Sequence, residues 1–214
     1  WTTTPWTLPS NTALTVGLSI RYSFIKTYNQ YTNKPITVVL AKDLIKNVFS
    51  KNYIEVNSPN ELQKFDGDSK KIPYLICQTI KGKDLTGLKY EQIWEESPAP
   101  VDNTENAFRV IAGDFVTTDG GTGIVHTAPT FGMDDYRVAI NANPPVPALL
   151  CFDDKGNKVP LVDLQGKFVD KIGRLSAKFV KNEYYPDGKD PEKSVDVEIA
   201  IKLKEDNLAF RVEK

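Results

Sequence analysis

A chain of 214 residues with 40% hydrophobic and 26% charged side chains can bury a sizeable core and is too apolar for bulk disorder. Lys and Arg number 27 against 28 Asp and Glu, so the net charge of −1 excludes the basic balance of a protein that grips long nucleic acid alone. No apolar run approaches the ~20 residues of a membrane span, and the single histidine, His126, excludes every site that needs two.

The chain opens on Trp1 without an initiator methionine, so we read residues 1–214 as one domain excised from a larger chain. Nothing at the start has the form of a signal peptide. The first peptide, Trp1-Thr2-Thr3-Thr4-Pro5-Trp6-Thr7-Leu8-Pro9-Ser10-Asn11, sets hydroxyls that donate and accept beside prolines that remove backbone donors. It reads either as an edge strand or as a ligand-facing strip on which Trp6 supplies a flat apolar wall. Leu14, Val16, Leu18, Ile20, Tyr22 and Phe24 alternate with smaller or polar residues, the period of one half-buried strand. Ile36–Leu40 is β-branched and predicts a second strand, and 42–49 has helical spacing. Ser58-Pro59-Asn60-Glu61 has the form of a capping box.

Short strands are predicted over 108–112, 115–118 and 124–127, between turn signals at Lys81-Gly82-Lys83-Asp84 and Asp119-Gly120-Gly121. Pro144, Pro145 and Pro147 mark a connector. Residues 194–208 alternate like a strand, yet acids lead and lysines trail, which suits a helix dipole and favours helix. The sum is a mixed α/β, strand-rich fold, most economically a central closed β-barrel with peripheral helices.

The second concentration of chemistry runs Gly120-Gly121-Thr122-Gly123-Ile124-Val125-His126-Thr127-Ala128-Pro129-Thr130-Phe131-Gly132-Met133-Asp134-Asp135-Tyr136. Its glycines are not a phosphate loop, because no Gly-Lys-Ser/Thr follows. No Gly-x-Ser-x-Gly elbow exists to carry a serine nucleophile. One histidine and two adjacent aspartates make a poor metal set, and neither Cys77 nor Cys151 is near in sequence. Two cysteines also make no disulfide framework, consistent with a reducing cytoplasm. A lone histidine is either a satisfied core residue or a functional one. Asp134 and Asp135 are either the acidic start of a helix or a cation site, suited to an ammonium group.

Together these two segments resemble the editing domain (connective polypeptide 1) of class I isoleucyl-tRNA synthetases. Thr2–Asn11 is similar to the family's first editing motif. Gly121–Pro129 with Gly132-x-Asp134-Asp135-Tyr136 is similar to its second. Weaker matches run through Gly82–Gly87 and Asp163–Val169 to the lysine-rich end. The valine and leucine branches carry Thr-Thr-Arg-Pro where this chain has Thr2-Thr3-Thr4-Pro5, so the isoleucine branch is indicated. With one histidine and Met133 as its only methionine, the chain has neither a His-Ile-Gly-His-type nor a Lys-Met-Ser-Lys-Ser-type motif to activate an amino acid.

The resemblance implies hydrolysis of valine wrongly esterified to tRNA(Ile), with valyl-adenylate as a further substrate. A site shaped for isoleucine rejects valine by only about 1–3 kcal/mol, a magnitude for which this enzyme family is itself the reference case, so a second sieve is needed. It assigns Asp135 to the substrate ammonium, with Asp134 as the local rival. His126 would limit side-chain size and order the attacking water. Thr2, Thr3 and Thr4 would surround the acyl group, with Thr7 beside them. Trp6 would lie near the adenosine, and Asn11 is similar to the editing asparagine. The implied partners are the 3′-terminal adenosine of valine-charged tRNA(Ile) and the rest of the synthetase in cis. A monomer is expected, with no membrane and no cofactor in this domain; ATP, Mg and any zinc would belong elsewhere in the full-length enzyme. The alternatives are a valine- or leucine-type editing domain, a self-standing editing factor, and a non-catalytic module that binds the tRNA 3′ end.

Overall fold

The computed structural model describes residues 1–213. Strands and helices alternate irregularly: β1 Ala13–Val16, β2 Arg21–Tyr28, β3 Pro35–Ala41, α1 Ile45–Val48, β4 Tyr53–Glu55, α2 Pro59–Leu62 and β5 Ile72–Lys81. There follow β6 Arg109–Ala112, β7 Ile124–Thr127, α3 Met133–Asn141, β8 Leu150–Phe152, β9 Lys158–Pro160 and α4 Val195–Glu205. The fold is therefore mixed and strand-rich. No described helix is long and apolar enough to cross a membrane.

The alternation over 14–24 is not one strand. Gly17–Ile20 turns the chain, and β1 and β2 enter different sheets. A side chain on Gly17 would meet Ile20 Cδ1 at 2.6 Å, and the Gly17 N–H donates to Tyr22 Oη at 3.0 Å. The turn packs Ile20 closely over Gly17 while leaving the parity of the alternation unbroken.

β1 sits in the middle of a three-stranded sheet, parallel to β6 and antiparallel to β7, with Leu14 opposite His126. This register fixes the height of the histidine. Both edges of β1 are thus filled, and 115–118 finds no ladder and runs as loop, unlike the strand expected there. The second sheet has the order β3-β2-β5-β4, and β8 pairs with β9 in a third. No ladder among the described residues closes these sheets into a ring. Instead Ala41 N–H donates to Thr122 O at 2.8 Å, and Tyr22 Oη–H donates to Gly123 O at 2.7 Å, stitching the two larger sheets edge to edge.

Two main cores result. One gathers Tyr22, Ile25, Leu40, Leu44, Phe49 and Tyr74 against the four-stranded sheet. The other gathers Trp94, Leu149, Leu161, Phe168, Ile172 and Leu175 with Val195, Ile199 and Leu203 of α4. Burying each such Leu or Ile stabilises the fold by about 1.5–3 kcal/mol. In α4 the buried positions are Val195, Ile199, Lys202 and Leu203, the spacing of one helical face, while Val197 points out. Ser194 caps it, its Oγ accepting from Val197 N. Ser58 likewise caps α2, with Glu61 reaching back to Asn57 N. Trp6 and Leu8 pack on the second core, so α4 is the floor under the N-terminal peptide.

Candidate functional site

Thr2–Thr4 leads into a 3-10 turn, Pro5–Ser10, rather than an edge strand. Pro5 stands at the start of the turn, where its missing N–H costs nothing. The turn is anchored from below by Trp6, whose N–H donates to Asp196 Oδ1 of α4 at 2.8 Å and whose ring meets Phe131 edge-on at 5.0 Å. Within the peptide Thr4 N–H donates to Thr2 Oγ1 at 2.9 Å and Thr7 Oγ1 donates to Thr4 O at 2.8 Å. Among the described residues the Thr3 and Thr4 hydroxyls have no intramolecular partner.

Across from this strip, β7 ends at Thr127, the chain turns through Ala128–Gly132, and α3 begins. Asp135, in the first turn of α3, points back and accepts the Ala128 N–H on Oδ2 at 2.9 Å. Burial raises its carboxyl above the ordinary aspartate range, and the Ala128 bond opposes that rise. Its neighbour Asp134 lies on the outer face, an exposed side chain 3.7 Å from Arg137, and does not reach the cavity. Helix geometry turns the two side chains to different sides, successive residues being about 100° apart around the axis.

The strip and the carboxylate share one cavity of about 480 Å³, within the usual range of small-ligand sites. Thr2, Thr3, Thr4, Trp6, Thr7, His126 and Asp135 all line it. Asn11 does not; it stands behind His126. The far wall is the loop carrying Phe115, Thr117 and Gly120–Gly123. Phe115 and Thr117 fall in the segment expected to be a strand, so the sequence had hidden their role in the wall.

His126 is buried and held at both ring nitrogens. Asn11 Nδ2 donates to Nδ1 at 2.8 Å, and Nε2 is 3.0 Å from Thr7 Oγ1. Asn11 Nδ2 also donates to Ala13 O at 2.8 Å and to Thr127 O at 3.3 Å, which sets the amide's orientation. Nδ1 must therefore be the bare nitrogen and Nε2 must carry the hydrogen, donating to Thr7, whose own hydroxyl passes on to Thr4 O. Burial pushes the imidazole down to about 4, so it is neutral near pH 7. Both ring nitrogens are therefore engaged within the protein, and neither is free to bond a water. Tyr90, which the sequence gave no reason to single out, closes the network by donating to Asn11 Oδ1 at 2.5 Å.

The isoleucine–tRNA ligase of Cytophaga hutchinsonii is 47% identical over 228 residues, covering all of this chain and 19% of the ligase. That of Bacteroides fragilis is 44% identical over 232 residues, with the same coverage. The chain belongs to the isoleucine–tRNA ligase family. Similarity extends to the cytoplasmic isoleucine–tRNA ligase of Arabidopsis thaliana, 35% identical over 85% of this chain and 15% of that protein. The chain spans about a fifth of the length of these two curated ligases. No family model matches it. Among solved structures, GlLeuRS-CP1 superposes with a TM-score of 0.49 at 15% identity, over 100% of this chain and 82% of that one.

Proposed function

We propose that residues 1–214 form one domain that proofreads for isoleucyl-tRNA synthetase in the cytoplasm, hydrolysing valine from mischarged tRNA(Ile). The observation that carries this reading is the shared cavity: the Asp135 carboxylate and the Thr2–Thr4 strip face the same 480 Å³ space. An aminoacyl ester offers one positive handle, its α-ammonium. Asp135 Oδ2 is occupied by Ala128 N–H, and the remaining lone pairs are available to that ammonium in a charge-assisted hydrogen bond. Thr3 and Thr4, whose hydroxyls are not engaged elsewhere, orient the acyl group and a water beside it. The family resemblance is what points them at an ester rather than at a free amine.

Selection against isoleucine follows from the fixed ring of His126. A wall tied at both nitrogens cannot step back for one more methylene, whereas valine leaves it undisturbed. Water attacks the ester carbonyl directly, the tetrahedral centre collapses, and the ribose oxygen leaves with a proton. The activation comes from position: the Thr7 hydroxyl lies 3.0 Å from His126 Nε2, but that nitrogen carries the hydrogen and cannot serve as its base. Trp6, packed on Phe131, gives the adenosine a flat apolar surface. The same reading takes the two larger sheets as an opened barrel and leaves the body of the tRNA to the rest of the enzyme.

The test is deacylation of valyl-tRNA(Ile) by the synthetase carrying Asp135→Ala. Losing the ammonium partner removes about 1.5–3 kcal/mol, a fall of roughly 10- to 150-fold. Undiminished hydrolysis overturns the reading.

A further inference from the structure

Tyr90 lies 79 residues from Asn11 and does not line the cavity, yet it ends a hydrogen-bond chain that runs to the strip. Every link has a forced direction. Ala13 O and Thr127 O accept from Asn11 Nδ2, so the amide oxygen must face the other way, toward Tyr90. Asn11 is 4% exposed, and Tyr90 Oη–H is the one donor to that oxygen among the described residues. Asn11 then donates to His126 Nδ1, His126 Nε2–H donates to Thr7 Oγ1, and Thr7 donates to Thr4 O. Tyr90 itself is set by its own N–H, which donates to Phe108 O at 2.9 Å, and by an edge-on contact with the Phe108 ring at 6.2 Å.

We propose that Tyr90 is a positioning residue of the editing site, holding Asn11 so that His126 keeps the Nε2–H tautomer and Thr7 keeps its hydroxyl on Thr4 O. This rests on the editing reading for its purpose, though not for its geometry. Without the phenol, the Asn11 oxygen is buried without a donor, and the amide shifts toward whatever can satisfy it. His126 Nδ1 then loses its donor's alignment. In the opposite tautomer Nε2 has no hydrogen, the Thr7 hydroxyl turns to it, and Thr4 O keeps only the Thr7 backbone N–H, at 3.1 Å. Thr4 O thus loses one of its two ties to Thr7.

His126 is the only histidine, so 15N-histidine labelling of the full 214-residue chain reports this one ring without assignment ambiguity. In the unaltered chain we expect one protonated nitrogen and one bare nitrogen, well separated in shift. In Tyr90→Phe the two resonances move toward each other as the tautomers mix, and kcat for valyl-tRNA(Ile) falls roughly tenfold or more while KM stays close. Incorporating 3-fluorotyrosine at position 90 keeps the shape and strengthens the donor, so Nδ1 moves further upfield; this arm decides the matter should Tyr90→Phe not fold. A histidine spectrum unmoved by either change overturns the proposal and leaves Asp135 untouched. Absence of hydrolysis in the unaltered enzyme would sink the editing reading and leave the tautomer result standing.

Discussion

A side chain on Gly132 would place its Cβ 2.9 Å from Cγ of Asp135 and 3.0 Å from its Oδ2. Gly132 has an ordinary extended backbone, φ −121° and ψ 131°, so glycine is not required there by conformation. It is required by the carboxylate. Gly132→Ala should therefore fold normally and swing Asp135 off the Ala128 N–H, a displacement of the sort that costs about tenfold or more in turnover. Equal deacylation rates with an unchanged melting temperature would show that the carboxylate has room to spare.

Asp135→Asn separates charge from shape. The amide oxygen can still accept the Ala128 N–H, but the ammonium loses its counter-ion, and deacylation should fall by roughly 10- to 150-fold. Stability should move the other way. Burial raises the Asp135 carboxyl in the fold, so the ionised form is disfavoured there, and the penalty applies above its folded range and vanishes in acid. The asparagine variant should melt higher than the unaltered chain at pH 7 and lose that advantage as the pH drops below the carboxylate range. Thermal melts across pH 3–7 check both halves.

The imidazole of His126 titrates near 4 in the fold against 6.5 when exposed. Between those values the unfolded chain binds the extra proton, so stability is complete above about pH 6.5 and is lost as the pH falls toward 4. The full loss is about 3 kcal/mol. Protonation would also set a donor on Nδ1 against Asn11 Nδ2, breaking the network at its centre. Urea titrations at pH 7 and pH 4.5 should show this loss in the unaltered chain and a smaller one in His126→Gln. An equal pH dependence in both would mean that the histidine stays solvated.

What could be read in the sequence was what lay within a single segment. The threonine strip, His126 and Asp135 stand in two contiguous motifs, and the family resemblance those motifs carry is what paired them. The resemblance favoured Asp135 over Asp134, but the physical difference between them shows only in the fold, where α3 begins at Met133 and turns Asp134 outward. The run from Leu14 to Phe24 misled because a four-residue turn at Gly17–Ile20 conserves the alternation that a strand would show. Contacts made across the chain left no local trace. Tyr90 meets Asn11 over 79 positions and Asp196 meets Trp6 over 190, and each looks in sequence like any surface tyrosine or helix-capping acid.

That last contact bears on how the threonine strip is held. The Asp196 carboxylate is half-buried under the Pro5–Ser10 turn and accepts the Trp6 N–H at 2.8 Å, with burial raising its carboxyl. The bond needs an acceptor; the charge is incidental, and in the fold it is a penalty. Asp196→Asn should keep the bond and melt no lower than the unaltered chain at pH 7. Asp196→Ala leaves a part-buried N–H unpaired, a loss of about 1–3 kcal/mol, or roughly 2–10 °C of melting temperature for a chain of this size. Because Trp6 and Thr7 share the turn, the alanine variant should also deacylate more slowly than the asparagine one. The ordering is what matters: if alanine and asparagine behave alike in both melting and deacylation, α4 carries the strip by packing alone and the Trp6 bond has no part in shaping the cavity.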